Sequence, residues 1–388
     1  MQKESFRMPE TLQQLTLKYR PKQLSEVVGQ HAVVDIISAM LTKYFSEQVP
    51  LPSGVLFCGS RGTGKTTMAR ILSRILNCSS RDALVSCGVC SSCKQIAAGN
   101  DVSVIELDAA SSGLVDDIRK LKEIALTAHA GNFRIFVLDE VHGMSGPAFQ
   151  ALLKILEEPP DNTMFIMATT EPHKVPDTIV SRVMVFEYRR ISEVALAARI
   201  EYIASMEHIS ITSDAIKSIA AYVDGGMRDA VMALDQLRYV SDAITVDVFN
   251  DYYGVVGTSF YLDAAQALAD GRIIEGLAFL SDAYARSSDV GQLVDGFATF
   301  FKDLLLVKYG AVESFTSLSE QFSESQLLSL INIAWDIRAK VRYTGVNNRT
   351  VVDLMFIQFS RVVGKSPVTA VGAVDKQIDK AALQAMFT

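Results

Sequence analysis

Eight residues, "GSRGTGKT" (59–66), carry the sharpest chemical pattern in the chain. They follow an apolar, β-type run and open a helical one, the context in which such a pattern becomes a phosphate-binding loop. Gly59, Gly62 and Gly64 allow backbone N–H groups to curl around phosphate oxygens without Cβ clashes. Ser60, Arg61 and Thr63 complete the loop, and Thr67 follows it into the helix. Lys65 has the reach for the β- and γ-phosphates, while the Thr66 hydroxyl suits Mg²⁺. The positive end of the helix adds to the anion site.

Further along, "RIFVLDE" (134–140) reads as a buried strand that ends in two acids. Asp139 is suited to hold Mg²⁺, often through water, and Glu140 to polarise an attacking water. A carboxylate beside the metal aspartate points to hydrolysis rather than transfer to another substrate. The next strand, "MFIMATT", ends at Thr169 and Thr170, where a polar side chain can sense a γ-phosphate or position the water. Arg182 precedes the last strand. An arginine supplied by a neighbouring subunit accelerates phosphoryl hydrolysis by about 10³–10⁵-fold, but Arg182 alone reads more readily as a solvated surface residue.

A second cluster has different chemistry. Cys78, Cys87, Cys90 and Cys93, four of the five cysteines, follow a C-x8-C-x2-C-x2-C spacing. Four thiolates suit tetrahedral Zn²⁺, and a closed S₄ shell leaves no position for catalysis. Gly88 permits the tight turn that lets neighbouring thiols converge. Disulfides fit poorly with a reducing compartment, and a redox pair would not require four clustered thiols. Structural zinc is the expectation. Cys58 lies in an apolar strand and reads as an inert core residue.

These groups need a scaffold. Short apolar, β-rich runs at 54–58, 103–107, 134–138, 163–168 and 183–187 alternate with helical stretches, the pattern of a parallel sheet covered by helices. "TTMARILSRILN" places Met68, Ile71, Leu72, Ile75 and Leu76 at helical spacing. "GPAFQALLKILEE" repeats that pattern and stops at Pro159–Pro160. Beyond about 189 the strands largely disappear. Residues 190–243 read as a small helical unit with "DGG" (224–226) as a break, and 246–364 as a further helical region. The tail from Gly364 holds a short helical pattern around "DKQIDKAALQAMF".

At 388 residues, 49% of them hydrophobic and 21% charged, the chain has the balance of a globular protein of two or three domains. No run reaches the roughly 18 uncharged residues of a spanning helix. "MQKESFRMPETLQQ" has no apolar core like that of a signal peptide. A soluble, intracellular chain is expected, without a membrane partner. The net charge of −7 argues against a free-standing nucleic-acid binder, so any DNA contact would come through a local patch.

Taken together, "KYRPKQLSEVVGQ", "GSRGTGKTT", the cysteine cluster, "IELDAAS", "LDEVH", "ALLKILEEPP", "ATTEP", "SR" (181–182) and "GGMRDA" resemble the gamma/tau family of bacterial DNA polymerase III, the AAA+ ATPases of the sliding-clamp loader. The resemblance runs from about Leu17 to about Val363. It implies an α/β P-loop AAA+ domain, a parallel sheet flanked by helices, at 17–188, with a zinc module at 78–93. It also implies a small all-α lid at 189–245 and an all-α collar, which holds a ring of subunits together, at 246–365. Residues 1–16 and 366–388 would flank these. Arg182 corresponds to the arginine finger acting on a neighbour's ATP, Arg228 to the sensor-2 arginine of the same subunit, and Thr170 to sensor 1. Tyr19, Arg20 and Pro21, with Val27 and Val28, resemble the lining of the adenine site.

Two positions depart from the family pattern. Val183 follows the finger arginine where the family usually has Cys, and Ser112, Gly113 and Leu114 stand where basic residues often face DNA. Arg119 and Lys120 remain candidates for that contact. The chain ends soon after the collar and so resembles the short, gamma-like form; cellular and phage-borne loaders are both compatible with it.

The reading implied is a motor that hydrolyses ATP to ADP and phosphate with Mg²⁺, in the cytosol of a bacterium or of a phage-infected host. Its partners would be copies of itself, delta- and delta-prime-like chains, a sliding clamp and primed-template DNA. A nucleotide-dependent scaffold with little hydrolysis would have no need of Glu140, Arg182 and Arg228 together. Another AAA+ motor, such as a branch-migration helicase, would need neither zinc module nor collar.

Overall fold

A computed structural model describes residues 14–109, 121, 123–125, 131–286, 290–311, 314–341 and 348–364. Two compact units divide the chain, Met1–Val246 and Asp247–Thr388.

The first unit opens with α1 (Leu15–Lys18) and α2 (His31–Glu47), followed by β1 (Gly54–Gly59), α3 (Lys65–Asn77), α4 (Ser91–Ala98) and β2 (Val104–Asp108). Next come β3 (Arg134–Asp139), α5 (Gly146–Glu157), β4 (Thr163–Thr169), α6 (Asp177–Val180) and β5 (Met184–Tyr188). The strands form one sheet in the order β2-β3-β4-β1-β5, parallel at every pairing. All seven residues of β4 are buried. A parallel sheet covered on both faces has no solvent side, which is why these strands read as continuous apolar runs rather than alternating ones.

Side-chain alternation along β1 then divides the core. Val55 and Phe57 join Ile37 and Leu41 of α2 and Met68, Leu72 and Ile75 of α3. Leu56 and Cys58 pack on the other face with Phe149, Leu152 and Ile155 of α5. The Ser145 hydroxyl accepts a hydrogen bond from the Ala148 N–H and so starts α5, which ends at Glu157, just before the two prolines. Strands β2 and β3 run one residue past the apolar stretches and pair Asp108 with Asp139 at their ends. Backbone pairing does not require an apolar side chain, so the strands deliver both acids to the rim.

The remainder of this unit comprises α7 (Glu193–Met206), β6 (Ser210–Ile211), α8 (Ser213–Tyr222), α9 (Met227–Leu237) and β7 (Ala243–Ile244). The expectation of an all-helical 189–245 needs correcting. β6 and β7 pair in parallel, and Thr212 N–H donates to the Ile244 carbonyl at 2.9 Å. Two-residue strands are too short to leave a period in the sequence.

α10 (Val246–Tyr253) straddles the boundary between the units. In the second unit, α11 (Thr258–Asp270), α12 (Ile273–Arg286), α13 (Val290–Lys308), α14 (Thr316–Ser319), α15 (Glu324–Val341) and α16 (Asn348–Val363) enclose a phenylalanine-rich core that includes Phe297, Phe301, Phe322, Phe356 and Phe359. Gly296 permits that packing, because a Cβ there would lie 2.0 Å from the Tyr261 hydroxyl oxygen. Among the described residues, no helix is long and apolar enough to cross a membrane.

Candidate active site and metal centre

The glycine loop starts where β1 ends. Gly59 has φ 147°, and a Cβ on it would lie 2.3 Å from the carbonyl oxygen of Tyr188 at the end of β5. Only glycine allows the two strands to pass so closely. The buried Thr63 hydroxyl donates to the Ser60 carbonyl at 2.8 Å and shapes the turn. Lys65, first in α3 and buried, donates from Nζ to the Gly59 carbonyl at 2.6 Å and the Ser60 carbonyl at 2.9 Å. Burial lowers its pKa, against the opposing pull of the Glu140 and Asp139 carboxylates. The ammonium is thus held by two successive backbone carbonyls.

The acids converge on this loop. Thr66 donates from Oγ1 to Asp139 Oδ2 at 2.8 Å, and the Glu140 N–H donates to Asp139 Oδ1 at 3.0 Å. Glu140 has left-handed backbone angles, φ 50° and ψ 47°. The Thr170 hydroxyl donates to Glu140 Oε2 at 3.1 Å. His142 Nδ1 lies 3.3 Å from that same oxygen, and its Nε2 lies 3.4 Å from Glu171 Oε1. Neither His142 nor Glu171 was singled out from the sequence, although "LDEVH" and "ATTEP" place both just past strands that already carried candidates.

A cleft of about 540 Å³ receives three of these groups, Thr66, Asp139 and Glu140. Tyr19, Arg20, Pro21, Val27 and Val28 line one side, and Arg61 through Thr67 the floor, with Asp139 and Glu140 beside it. Arg228 reaches the cleft from α9; its N–H donates to the Gly62 carbonyl at 3.4 Å. Gly62 has φ 79°, and a Cβ there would sit 3.2 Å from Gly226 Cα. Burial, then repulsion from Arg70 and Arg228, lowers the pKa of Arg20, and Glu106 opposes this. Arg70 itself forms a two-point pair with Glu106 at 2.8 and 2.7 Å. Arg199, not anticipated from sequence, also lines the cleft and donates to the Tyr19 carbonyl at 3.1 Å. It lies within the helical pattern of α7 and leaves no motif.

Not every candidate gathers here. Gly59, Ser60 and Thr170 are not in the lining, and Thr170 reaches the site through Glu140. Arg182 is not in the lining; it pairs with Glu157 at 2.8 Å and donates to the Thr178 carbonyl at 2.9 Å, on an exposed surface. Arg119 and Lys120, with Ser112, Gly113 and Leu114, lie outside the described residues.

The Thr66 hydroxyl and Asp139 carboxylate are hard oxygen donors meeting at one point, which fits Mg²⁺. The cysteines fit a softer ion. The sulfurs of Cys78, Cys87, Cys90 and Cys93 all lie within 4.8 Å of one another. Zn–S bonds of about 2.3 Å imply a tetrahedral edge of about 3.8 Å. The N–H groups of Cys87, Cys90 and Cys93 point at the sulfurs of Cys78, Cys87 and Cys90, at 3.3, 3.4 and 3.5 Å. Donors of this kind favour thiolate. N–H groups of Val89 and Cys90 hold the Cys87 thiol below its usual pKa. Burial pulls Cys90 up, but N–H groups of Cys93 and Ser79 bring it down to about 6. Burial pushes Cys93 up to about 12. Cys78 caps the C-terminal end of α3, whose 13 residues begin with Lys65. At 1.5 Å per residue the centre stands about 20 Å from the loop, outside the reacting groups.

A family model described as DNA polymerase III, delta subunit, matches residues 35–192. The chain is 35% identical over 340 residues to DNA polymerase III subunit tau of Bacillus subtilis, across 84% of this chain and 59% of that protein. It is 34% identical over 276 residues to the Escherichia coli tau subunit, across 71% of this chain and 42% of that one. The chain therefore spans less than two thirds of the length of either relative. Among solved structures, the Thermotoga maritima RuvB Holliday junction branch migration motor aligns at 18% identity with a TM-score of 0.47, over 69% of this chain and 88% of that one. A likeness of that degree carries no argument. Sequence identity sustained over most of the chain does: it is a homologue of the tau/gamma subunits of DNA polymerase III.

Proposed function

We propose that this chain is an ATP-hydrolysing motor subunit of a sliding-clamp loader, which opens a ring clamp and loads it onto primed-template DNA in the cytosol. The observation that carries this reading is the convergence of Thr66, Asp139, Glu140 and Thr170 at the end of the glycine loop, in a chain homologous to tau/gamma subunits.

The residues divide the work. Tyr19, Arg20, Pro21 and Val28 bound the base end of the cleft. Backbone N–H groups from Gly59 to Thr67 and the Lys65 ammonium hold the phosphates, with Arg228 adding charge from α9. Thr66 and Asp139 hold Mg²⁺, which when bound neutralises charge on the β- and γ-phosphate oxygens. Glu140 orients and polarises the attacking water, and Thr170 steadies its carboxylate. Arg182, which is not in the lining of its own cleft, would leave its pair with Glu157 to reach a neighbouring subunit's γ-phosphate. The four cysteines hold structural zinc. In this reading 17–188 is the ATPase domain, 189–245 a lid and 246–365 a collar that joins copies of the chain and delta-type partners. Residues 1–16 and 366–388 flank them, and DNA contact by Arg119 and Lys120 belongs to the same proposal.

The test is ATP turnover with and without clamp and primed-template DNA. Wild-type turnover rises when both are present. Arg182→Ala lowers the stimulated rate by about 10³-fold and Glu140→Gln by about 10²-fold or more, both with nucleotide binding retained. Stimulated turnover surviving Arg182→Ala would remove the role in trans, and normal hydrolysis by Glu140→Gln would remove the catalytic assignment. Absence of any stimulation would favour a nucleotide-dependent scaffold.

A further inference from the structure

The Glu140 carboxylate is held from two directions, and only one of them is Thr170. His142 Nδ1 sits between two oxygens, 3.3 Å from Glu140 Oε2 and 3.2 Å from Thr169 Oγ1. Its Nε2 faces Glu171 Oε1 at 3.4 Å, and Glu171 Oε2 is in turn 2.8 Å from Lys174 Nζ and 3.7 Å from His173 Nε2. The Glu171 N–H closes the figure by donating to Thr169 Oγ1 at 3.0 Å.

Two features make this more than a surface ion-pair cluster. The His142 side chain is only 19% exposed, so its contacts are less screened than those of freely solvated pairs. The hydrogen bond of Lys174 holds the Glu171 carboxyl below its usual pKa, against a smaller effect of burial. His142 thus has a carboxylate in place at its outer nitrogen. Moreover, Glu171 opens the short connection through Pro172–Lys174 to α6, and Arg182 comes just after the Ser181 cap of that helix. One imidazole therefore bridges the hydrolytic carboxylate and the segment that presents Arg182.

We infer that His142 is a positioning residue for hydrolysis: it fixes the Glu140 carboxylate in the attitude needed to aim the water, and ties it through Glu171 to the chain leading to Arg182. The inference rests on the reading of Glu140 as the hydrolytic carboxylate. A left-handed backbone at Glu140 aims its side chain but leaves the outer torsions free. Thr170 supplies one hydrogen bond, and a second contact on the same oxygen limits rotation of the carboxylate.

The test uses the full chain in the assembly with clamp and primed-template DNA. It reads single-turnover hydrolysis and, separately, the dissociation constant for ATP. His142→Ala is expected to slow hydrolysis about tenfold or more while the ATP constant moves less than about twofold, the signature of an interaction made in the transition state. His142→Asn, whose amide nitrogen takes the place of Nδ1, restores most of the rate. Glu171→Gln slows it about threefold. In a Glu140→Gln background, His142→Ala adds no further loss, because the group it positions is gone.

A wild-type rate in His142→Ala, while Glu140→Gln is inactive, overturns this inference alone. A weakened ATP constant or lowered melting temperature with an unchanged rate does the same, since a merely structural histidine behaves that way. Equal loss in the Asn and Ala variants also overturns it. Normal hydrolysis by Glu140→Gln overturns the assignment of Glu140 and this inference with it.

Discussion

At the N-terminal end of α3, the reactive polar groups are held at the tips of sheet strands; at its C-terminal end, the cysteine sulfurs are held by backbone N–H groups of their own short stretch. Asp139, Thr169 and Gly59 sit at the tips of strands whose side chains are buried on both faces. Any displacement of these groups must disturb a close-packed core. The stretch 78–98 sends only Leu84 and Ile96 into that core, while Val85 and Val89 are exposed at 42% and 70%. Ile96 is buried and Leu84 only partly so, and full burial of one such side chain contributes only about 1.5–3 kcal/mol. The sheet can hold a reactive constellation without help, whereas the cysteine stretch, if it holds the proposed zinc, would draw much of its order from that ion.

Metal removal gives the largest expected effect. Metal binding contributes about 10–16 kcal/mol in small structural zinc sites, so a strong chelator should release the stretch 78–98 while β1, β3 and β4 stay protected. Hydrogen exchange read segment by segment checks this. Cys93→Ser should behave similarly and purify with less than one equivalent of metal. Equal loss of protection in β1 and 78–98 would break the comparison.

Next in size is Gly59→Ala. The added methyl meets the Tyr188 carbonyl at 2.3 Å at a φ of 147°, a backbone collision that should cost at least about 3 kcal/mol. Thermal melting of the sheet should fall, with the metal content of the cysteine centre unchanged. Parallel loss of metal would mean the two ends of α3 are less independent than their packing indicates.

The smallest effect concerns the segment that walls the cleft. Lys18 Nζ lies 2.7 Å from Glu207 Oε1, the Tyr19 hydroxyl bonds the same carboxylate, and Leu15 N–H donates to Asp235 at 3.1 Å. Burial raises the Glu207 pKa, but Lys18 and Tyr19 outweigh it and the net shift is downward. A depressed carboxylate contributes stability above its unfolded pKa of 4.5 and loses it as pH falls. Glu207→Gln should therefore melt lower than wild type at neutral pH, by no more than about 1 kcal/mol. The gap should close below about pH 4.5. A gap independent of pH would assign the role of Glu207 to packing.

Much of this was legible in the residues because it is local. The glycine loop, the cysteine spacing and the buried strands each occupy one short stretch, with the period or spacing that its physics demands. What was missed depends on neighbours in space. His142 and Glu171 follow different strands and meet because β3 and β4 lie side by side in parallel, Leu138 opposite Met167. Nothing in "LDEVH" alone states which strand will be adjacent. Arg199 joins the cleft because α7 packs near Tyr19, and β6 pairs with β7 across a helix pair. For Arg182 the sequence supplied a candidate role, but not the Glu157 carboxylate that meets it.

The backbone of Glu140 has a consequence for the history of any such chain. At φ 50° and ψ 47° a side-chain-bearing residue is about 1 kcal/mol worse off than glycine. Glu140→Gly should therefore melt a few degrees above Glu140→Ala, and both should be inactive. A laboratory lineage selected only for heat resistance would drift toward glycine here and lose the proposed hydrolytic carboxylate. Glutamate at this position is kept against the preference of its own backbone, so its persistence in a lineage would record continued selection for turnover.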